Sequence, residues 1–387
     1  MSQRTSSQAF VDELSRHGFG PYIGVPCSYL RPFIDYVIDR DDLSYVAATN
    51  EGEALAIATG AQLAGRRPVV MLQNSGLGNL VNPLASLSYP FRVPALLIVT
   101  LRGDPQFKDE PQHELMGRIT SDLLRTMEVE HDWFPASDDA IAPAIATAVA
   151  RKNATGLPYA FILRKNVVTN YTPRAAGTDA APLSGAHPPR THPTRRHALA
   201  AIAAAMRADS IVVATTGKTG REWFELGDRD RNLYLVGSMG CASSVALGLA
   251  REVDQPVLVL DGDGAALMRL EAMASVGSVH PERFVHIVLD NEAYDSTGAQ
   301  RTISAGVDFP AIARACGYAG AESVTGTDAL AEAVKRAQES TGPHLIHCRI
   351  ALSTAAEVGR PSVPPRDVAE RLRATLRAAR GEGPRGP

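Results

Sequence analysis

One stretch limits the choice of fold more than any other. Residues 257–298 read VLVLDGDGAALMRLEAMASVGSVHPERFVHIVLDNEAYDSTG. Two apolar runs, Val257–Leu260 and Phe284–Leu289, flank a segment with helical periodicity. Each run ends in a polar cluster: Asp261-Gly262-Asp263-Gly264 after the first, Asp290-Asn291 after the second. Strand, helix, strand in this order is a βαβ unit, so both clusters lie at the carboxyl ends of parallel strands. Open α/β sheets bind their ligands along that edge.

The residue types suggest the ligand. Gly262 and Gly264 let backbone amides approach a phosphate, at the amino end of a helix expected to start near Ala265. Asp263 repels a phosphate, which calls for a cation between the two. Asn291 brings a neutral oxygen from the neighbouring strand end. A hard divalent ion such as Mg²⁺ takes one or two protein oxygens together with phosphate oxygens. The competing reading is a tight strand-to-helix turn without a ligand. The second polar cluster, at the next strand end, argues against it.

The same alternation runs through the rest of the chain. In the first half, strands are expected at 18–26, 44–48, 68–72, 94–99 and 159–163, and helices at 8–17, 29–38, 53–63, 112–128 and 138–151. In the second half, strands are expected at 210–214, 233–236 and 344–348 besides the two above. Helices are expected at 195–206, 242–251, 308–315, 328–339 and 366–380. The fold class is α/β, with two doubly wound parallel sheets of about six strands each and helices on both faces. Residues 171–194 are rich in Pro, Gly and Ala without periodicity, and read as a linker between domains 1–170 and 195–387. His187 and His192 in that linker read as solvated side chains rather than metal ligands.

Composition excludes several classes. A net charge of −3 gives no basic footprint for nucleic acid or an anionic membrane. No apolar run approaches the ~20 residues of a membrane span, and MSQRTSSQAF has no apolar core of the signal-peptide kind. Cys27, Cys241, Cys316 and Cys348 are far apart and form no CxxC, so a reducing, cytoplasmic setting is expected.

Further clusters fall at strand ends. Glu51, in NEGEALAIATG, sits where a helix-capping carboxylate sits. Gly237-Ser238-Met239-Gly240 lies between a strand and a helix, with Met239 readable as a core side chain. Thr216-Gly217-Lys218-Thr219-Gly220 lacks the full spacing of a phosphate-binding P-loop, which excludes an ATPase of that kind, yet its place suits diphosphate contacts. Gln73-Asn74-Ser75-Gly76 and Asp109-Glu110-Pro111-Gln112-His113 are loop clusters of the first half. Arg31, Arg102 and Lys108 are candidate anion binders, each of which singly reads equally as a solvated surface charge.

The stretches GVPCSYL, ATNEGEALAIATGA, QNSGLGNLVNPLASL, RGDPQFKDEPQHELMG, TTGKTGRE, GSMG, LDGDGAALMRL and LDNEAYDSTGAQRT together resemble the phosphonopyruvate decarboxylases, with the sulfopyruvate decarboxylases as near relatives. The spacing from Gly-Asp-Gly across residues 265–290 to Asn291 resembles the motif of thiamine diphosphate enzymes generally. The resemblance implies the thiamine diphosphate-binding fold without a middle domain, the cofactor thiamine diphosphate, and Mg²⁺ held by Asp263, Asn291 and the carbonyl of Ala293. It implies that Glu51, nine residues before Gly60, hydrogen-bonds the pyrimidine ring of the cofactor from an apolar pocket. Thr216, Gly217, Gly237, Ser238, Met239, Gly262, Gly264, Ala265, Ser75 and Gly76 would contact the cofactor, with Met239 wedged beneath it. His113 would act on the substrate, and Ser28, Asn74, Arg102 and Lys108 would line its site. The implied reaction is decarboxylation of 3-phosphonopyruvate to phosphonoacetaldehyde, in phosphonate biosynthesis, by a homo-oligomer with active sites between subunits. Rival readings keep the fold: a sulfopyruvate decarboxylase, another thiamine-dependent 2-oxo acid decarboxylase or carboligase, or a binding protein without catalysis. Asp290 stands where the commoner thiamine pattern has Asn.

Overall fold

Runs such as LLIVT (96–100) and IVVA (211–214) bury every residue, as strands do when helices cover both faces of a sheet. The computed structural model describes residues 4–174, 192–352 and 358–381. It divides into two compact units, 1–181 and 182–387. Of the expected linker, residues 175–191, His187 included, lie outside the described residues.

The first unit holds strands β1 (Phe19–Gly24), β2 (Tyr45–Ala47), β3 (Arg67–Gln73), β4 (Leu96–Thr100), β5 (Glu130–Trp133) and β6 (Tyr159–Leu163). They form one parallel sheet in the order β2-β1-β3-β4-β6-β5. The second unit holds β7 (Ile211–Ala214), β8 (Asn232–Tyr234), β9 (Val257–Gly262), β10 (Phe284–Asp290), the short pair β11 (Ala293–Tyr294) and β12 (Gln300–Arg301), β13 (Gly320–Val324) and β14 (His344–Arg349). Its parallel sheet runs β13-β14-β10-β9-β7-β8. Read from the opposite edge, this is the order of the first sheet. The two units therefore share one topology, although no sequence repeat links them.

Each sheet has six strands. The two whose apolar pattern gave no signal, β5 and β13, are edge strands. Their sequences, EHDW and GAESV, are mostly half-buried or exposed. An edge strand with one solvated side needs no apolar run, and polar residues there discourage further pairing. Residues 77–91, unassigned from sequence, form a helix with a wide π turn over Leu84–Ser88. Pro83, which has no N–H to donate, directly precedes that turn.

Both units pack helices onto each face of the sheet. On one face of the first, Phe10, Phe33, Phe134 and Phe161 meet, with Phe10 and Phe134 centroids 4.4 Å apart. Truncating such a ring to Ala costs about 3–5 kcal/mol. Leu55, Leu77, Leu80 and Leu97 fill the other face. In each sheet the chain reverses direction beside the first strand, between β1 and β3 and between β7 and β9. Those are the crevices where doubly wound sheets take ligands.

Candidate active site

Candidate residues gather at the carboxyl edge of each sheet. In the first unit, the helix Glu51–Leu63 begins at Glu51, not at Glu53. Asn50 is the cap, its Oδ1 accepting from the Glu53 amide at 3.0 Å, while Glu53 accepts from the amide and hydroxyl of Thr49 at 2.6 Å. Capping is thus done by the neighbours of Glu51, which leaves its own carboxylate for another task. Glu51 is 5% exposed. Asn79 Nδ2 donates to its Oε2 at 2.6 Å, so the pocket is buried but not wholly apolar. A Cβ on Gly76 would stand 2.2 Å from Glu51 Oε1. Gly76 is therefore the floor on which the carboxylate rests. Gly60 lies exposed on the same helix, facing open space.

Across the crevice, Cys27 is buried and donates to Gln73 Oε1 at 3.3 Å. Gln73 donates in turn to Ser75 Oγ at 2.7 Å. Ser28 and Ser75 are exposed. Asn74 is fully buried, with its carboxamide engaged by the backbone of Arg102 (2.8 and 3.2 Å) and by Thr120 Oγ1 (3.0 Å). It anchors the end of β4, contrary to the expected place in the substrate lining.

Arg102 is not a free anion binder either. Its guanidinium forms a two-point pair with Asp109 at 2.7 and 2.5 Å and lies over the Tyr29 ring at 5.3 Å. Burial would raise the Asp109 carboxyl, but Arg102 and the Gly103 amide hold it down at about 2. This pair shapes the loop that presents His113, which is 9% exposed with Nδ1 unpartnered. Burial, and then Arg102, lower the His113 pKa and keep its ring neutral. Lys108 is exposed.

In the second unit, Thr216 follows β7 and donates to the Val236 carbonyl at 3.0 Å. Gly217 has φ +95°, where a side chain would be strained, and caps the helix Lys218–Leu226. Ser238 also lies in the left-handed region, at φ +50°. Space above Gly262 is open, but a Cβ on Gly264 would meet the Tyr294 ring at 2.6 Å and Met239 Cε at 3.3 Å. Gly264 thus makes room for Tyr294 and Met239. Gly237 and Met239 are half-buried, and Ala265 is buried. The helix starts at Asp263, two residues before Ala265.

Asp263 is 2% exposed. Burial, then the nearby Asp290, raise its pKa to about 6. Asn291 Nδ2 is buried without a partner, and its Oδ1 accepts from the Ala293 amide at 3.3 Å. A buried carboxylate disfavoured by its surroundings, next to amide and carbonyl oxygens, fits a hard divalent cation and would be relieved by one.

The structure adds residues that sequence reading missed. Thr302 Oγ1 donates to Asp263 Oδ2 at 2.5 Å, and Ser304 Oγ donates to Asp290 Oδ1 at 2.8 Å. His347 Nε2 donates to Asp290 Oδ2 at 3.0 Å. Asp295 pairs with Arg195 and with Lys218, both at 2.8 Å. Asn79, three positions after Gly76, lay close enough in sequence to be suspected, and Asp295 lies in the tail 294–298 of the stretch 257–298, which the sequence already suggests as a cover over the ligand with a share in specificity. Thr302, Ser304 and His347 come from outside that stretch and carry no local signal.

The N-terminal TPP binding domain model of the thiamine pyrophosphate enzymes matches residues 4–124, and the C-terminal TPP binding domain model matches residues 218–348. Over 369 residues the chain is 46% identical to a phosphonopyruvate decarboxylase of Streptomyces viridochromogenes, covering 94% of this chain and 93% of that protein. Identity is 44% over 376 residues to the phosphonopyruvate decarboxylase of Streptomyces hygroscopicus, with 95% and 93% covered. It is 27% over 390 residues to a sulfopyruvate decarboxylase of Methanosarcina acetivorans, with 95% and 96% covered.

Proposed function

Because this chain belongs to the thiamine pyrophosphate enzymes, and within them to the family of the phosphonopyruvate decarboxylases, we propose that it removes CO₂ from 3-phosphonopyruvate to give phosphonoacetaldehyde. The observation that carries the catalytic reading is Glu51, a buried carboxylate at a strand end, relieved of capping by Asn50 and seated on Gly76. Bound thiamine diphosphate supplies a carbon nucleophile and an electron sink for the cleaved bond.

The residues of the chain take the other roles. Glu51 hydrogen-bonds the pyrimidine ring of the cofactor, and Asn79 keeps the carboxylate aimed. Asp263, Asn291 and the Ala293 carbonyl hold Mg²⁺, while Thr216, Gly217, Ser238 and Gly262 flank the diphosphate. Met239, packed toward Gly264, supports the cofactor rings. Neutral His113 is a proton carrier at the substrate. The exposed Lys108 and Ser28 face the substrate anion, with Arg102 holding the loop through Asp109.

The working form is a homo-oligomer with active sites between subunits. Leu63 is 71% exposed, Phe91 67% and Val81 40%, large apolar side chains on the helix Glu51–Leu63 and the helical stretch 77–91 that suit contact with a second copy. No helix among the described residues is long and apolar enough to cross a membrane. The described cysteines are free, in keeping with a reducing cytoplasmic setting, and the proposed substrate places the reaction in phosphonate biosynthesis.

The test is an aldehyde-coupled assay with phosphonopyruvate, sulfopyruvate and pyruvate, with and without thiamine diphosphate and Mg²⁺. Turnover is expected to need both additions and to be fastest with phosphonopyruvate. Faster turnover of sulfopyruvate would assign the substrate to the rival family.

A further inference from the structure

Asp290 precedes a proposed cation ligand and is not one itself, yet its carboxylate accepts three hydrogen bonds. Its side chain is fully buried. Oδ1 accepts from the Glu292 amide at 2.9 Å and from Ser304 Oγ at 2.8 Å, and Oδ2 accepts from His347 Nε2 at 3.0 Å. The other ring nitrogen of His347, Nδ1, lies 3.0 Å from Ser323 Oγ. In the neutral ring, with Nε2 donating to the carboxylate, Nδ1 accepts from that hydroxyl.

Two arms leave Asp290. One is the turn Asn291–Ala293. It is held at its centre by the Glu292 amide, at φ +56°, and by the carbonyl of Glu292, which accepts from the Thr302 amide at 3.0 Å. Arg349, two residues after His347 on β14, grips the Glu292 side chain as well. The other arm runs through the hydroxyls. Ser304 Oγ lies 3.0 Å from Thr302 Oγ1, and Thr302 reaches Asp263 Oδ2 at 2.5 Å. Each hydroxyl has one proton. Facing two carboxylates, Ser304 gives its proton to Asp290 and Thr302 gives its own to Asp263. Thr302 Oγ1 accepts from the Ser304 amide at 3.3 Å. The two hydroxyls are therefore joined through the Ser304 amide, which ties the residue bonded to Asp290 to the residue bonded to Asp263.

We propose that His347 is a positioning residue for the divalent cation: it fixes Asp290, and through Asp290 both the Asn291–Ala293 turn and, by way of Ser304 and Thr302, the Asp263 carboxylate. This also gives the Asp at position 290 a purpose. An Asn there would offer one oxygen and one NH₂ group, and the NH₂ would face either the donating Nε2 of His347 or the donating Ser304. Partners that orient metal ligands typically change affinity by about 10–100-fold when removed.

The inference rests on the proposed cation site, and the test separates the two. Mn²⁺ is titrated into the holoprotein components, full-length chain plus thiamine diphosphate, and free Mn²⁺ is read by electron paramagnetic resonance well below the melting temperature. If the parent takes up no Mn²⁺, the cation site itself is wrong. If the parent binds, His347→Leu is expected to weaken Mn²⁺ by about 10-fold or more, and His347→Gln, which keeps an N–H donor, to recover most of the loss. Ser304→Ala cuts the hydroxyl arm without touching the His347–Asp290 pair and is expected to weaken Mn²⁺ about 10-fold, which keeps the test alive if His347→Leu does not fold. Unchanged Mn²⁺ affinity in the folded variants, or a His347→Gln protein no better than His347→Leu, would overturn the proposal.

Discussion

Replacing Gly76 by Ala tests the placement of Glu51 without touching it. The backbone of Gly76 sits at φ −80°, ψ −8°, where Ala is at ease, so the substitution carries no intrinsic strain. The new methyl would stand 2.2 Å from Glu51 Oε1, 2.3 Å from Cδ and 2.5 Å from Cγ. Ordinary contact is about 3.5–4.0 Å, so the carboxyl group must retreat by roughly 1 Å or more. A misplacement of that size costs about 10²-fold in rate, or about 2.7 kcal/mol of barrier. The assay is the aldehyde-coupled turnover number at saturating cofactor and Mg²⁺, with a melting curve to show that the fold survives. Glu51→Ala removes all three atoms that the methyl meets. On that background Gly76→Ala should therefore add nothing, and the cycle should show a coupling energy nearly equal to the single-mutant effect. A Gly76→Ala enzyme with parental turnover, or losses that simply add, would refute the reasoning.

The burial that raises the Asp263 pKa gives the metal-free protein a pH signature. A carboxyl whose folded pKa, about 6, exceeds its unfolded value destabilises the fold as pH rises from about 4 to about 6; melting curves with chelator should show this decline, and Mg²⁺ with thiamine diphosphate should remove it. Lys152, buried with its ammonium 4.6 Å over the Phe19 ring, has a pKa lowered to about 7 by burial and then Arg67. The penalty of burying its charge is fully present below pH 7 and fades as pH rises toward the unfolded value. Denaturant titration should therefore find Lys152→Met more stable at pH 6 by on the order of 3–5 kcal/mol, with the advantage shrinking by pH 10. Phe91→Glu together with Leu63→Glu should shift sedimentation from oligomer toward monomer and lower turnover, while leaving circular dichroism unchanged.

How much of this was legible in the sequence depends on whether a residue acts through its local run or through distant partners. Buried parallel strands advertise themselves, since both faces must be apolar, and β3, β4, β6, β9, β10 and β14 were all readable. Polar clusters at their ends were readable too, because polar residues abutting buried runs have few other places to go. The edge strands β5 and β13 were silent, since one side of each is solvated. Asn74, Arg102 and Gly264 looked like ligand contacts by type and position. Their partners, the Arg102 backbone, Asp109 and the Tyr294 ring, were set by how loops fold back.

The chain by itself thus determined two doubly wound sheets, their ligand edges, and Asp263 and Asn291 as groups to watch, because periodicity and residue chemistry are local properties; Glu51, a helix cap by those measures, was singled out by the family resemblance. Tertiary structure alone decided which polar side chains are free and which are already engaged. Register between β10 and β14 brings His347 to Asp290 across 57 positions, and no local pattern encodes a hydrogen bond between strands that far apart in the chain.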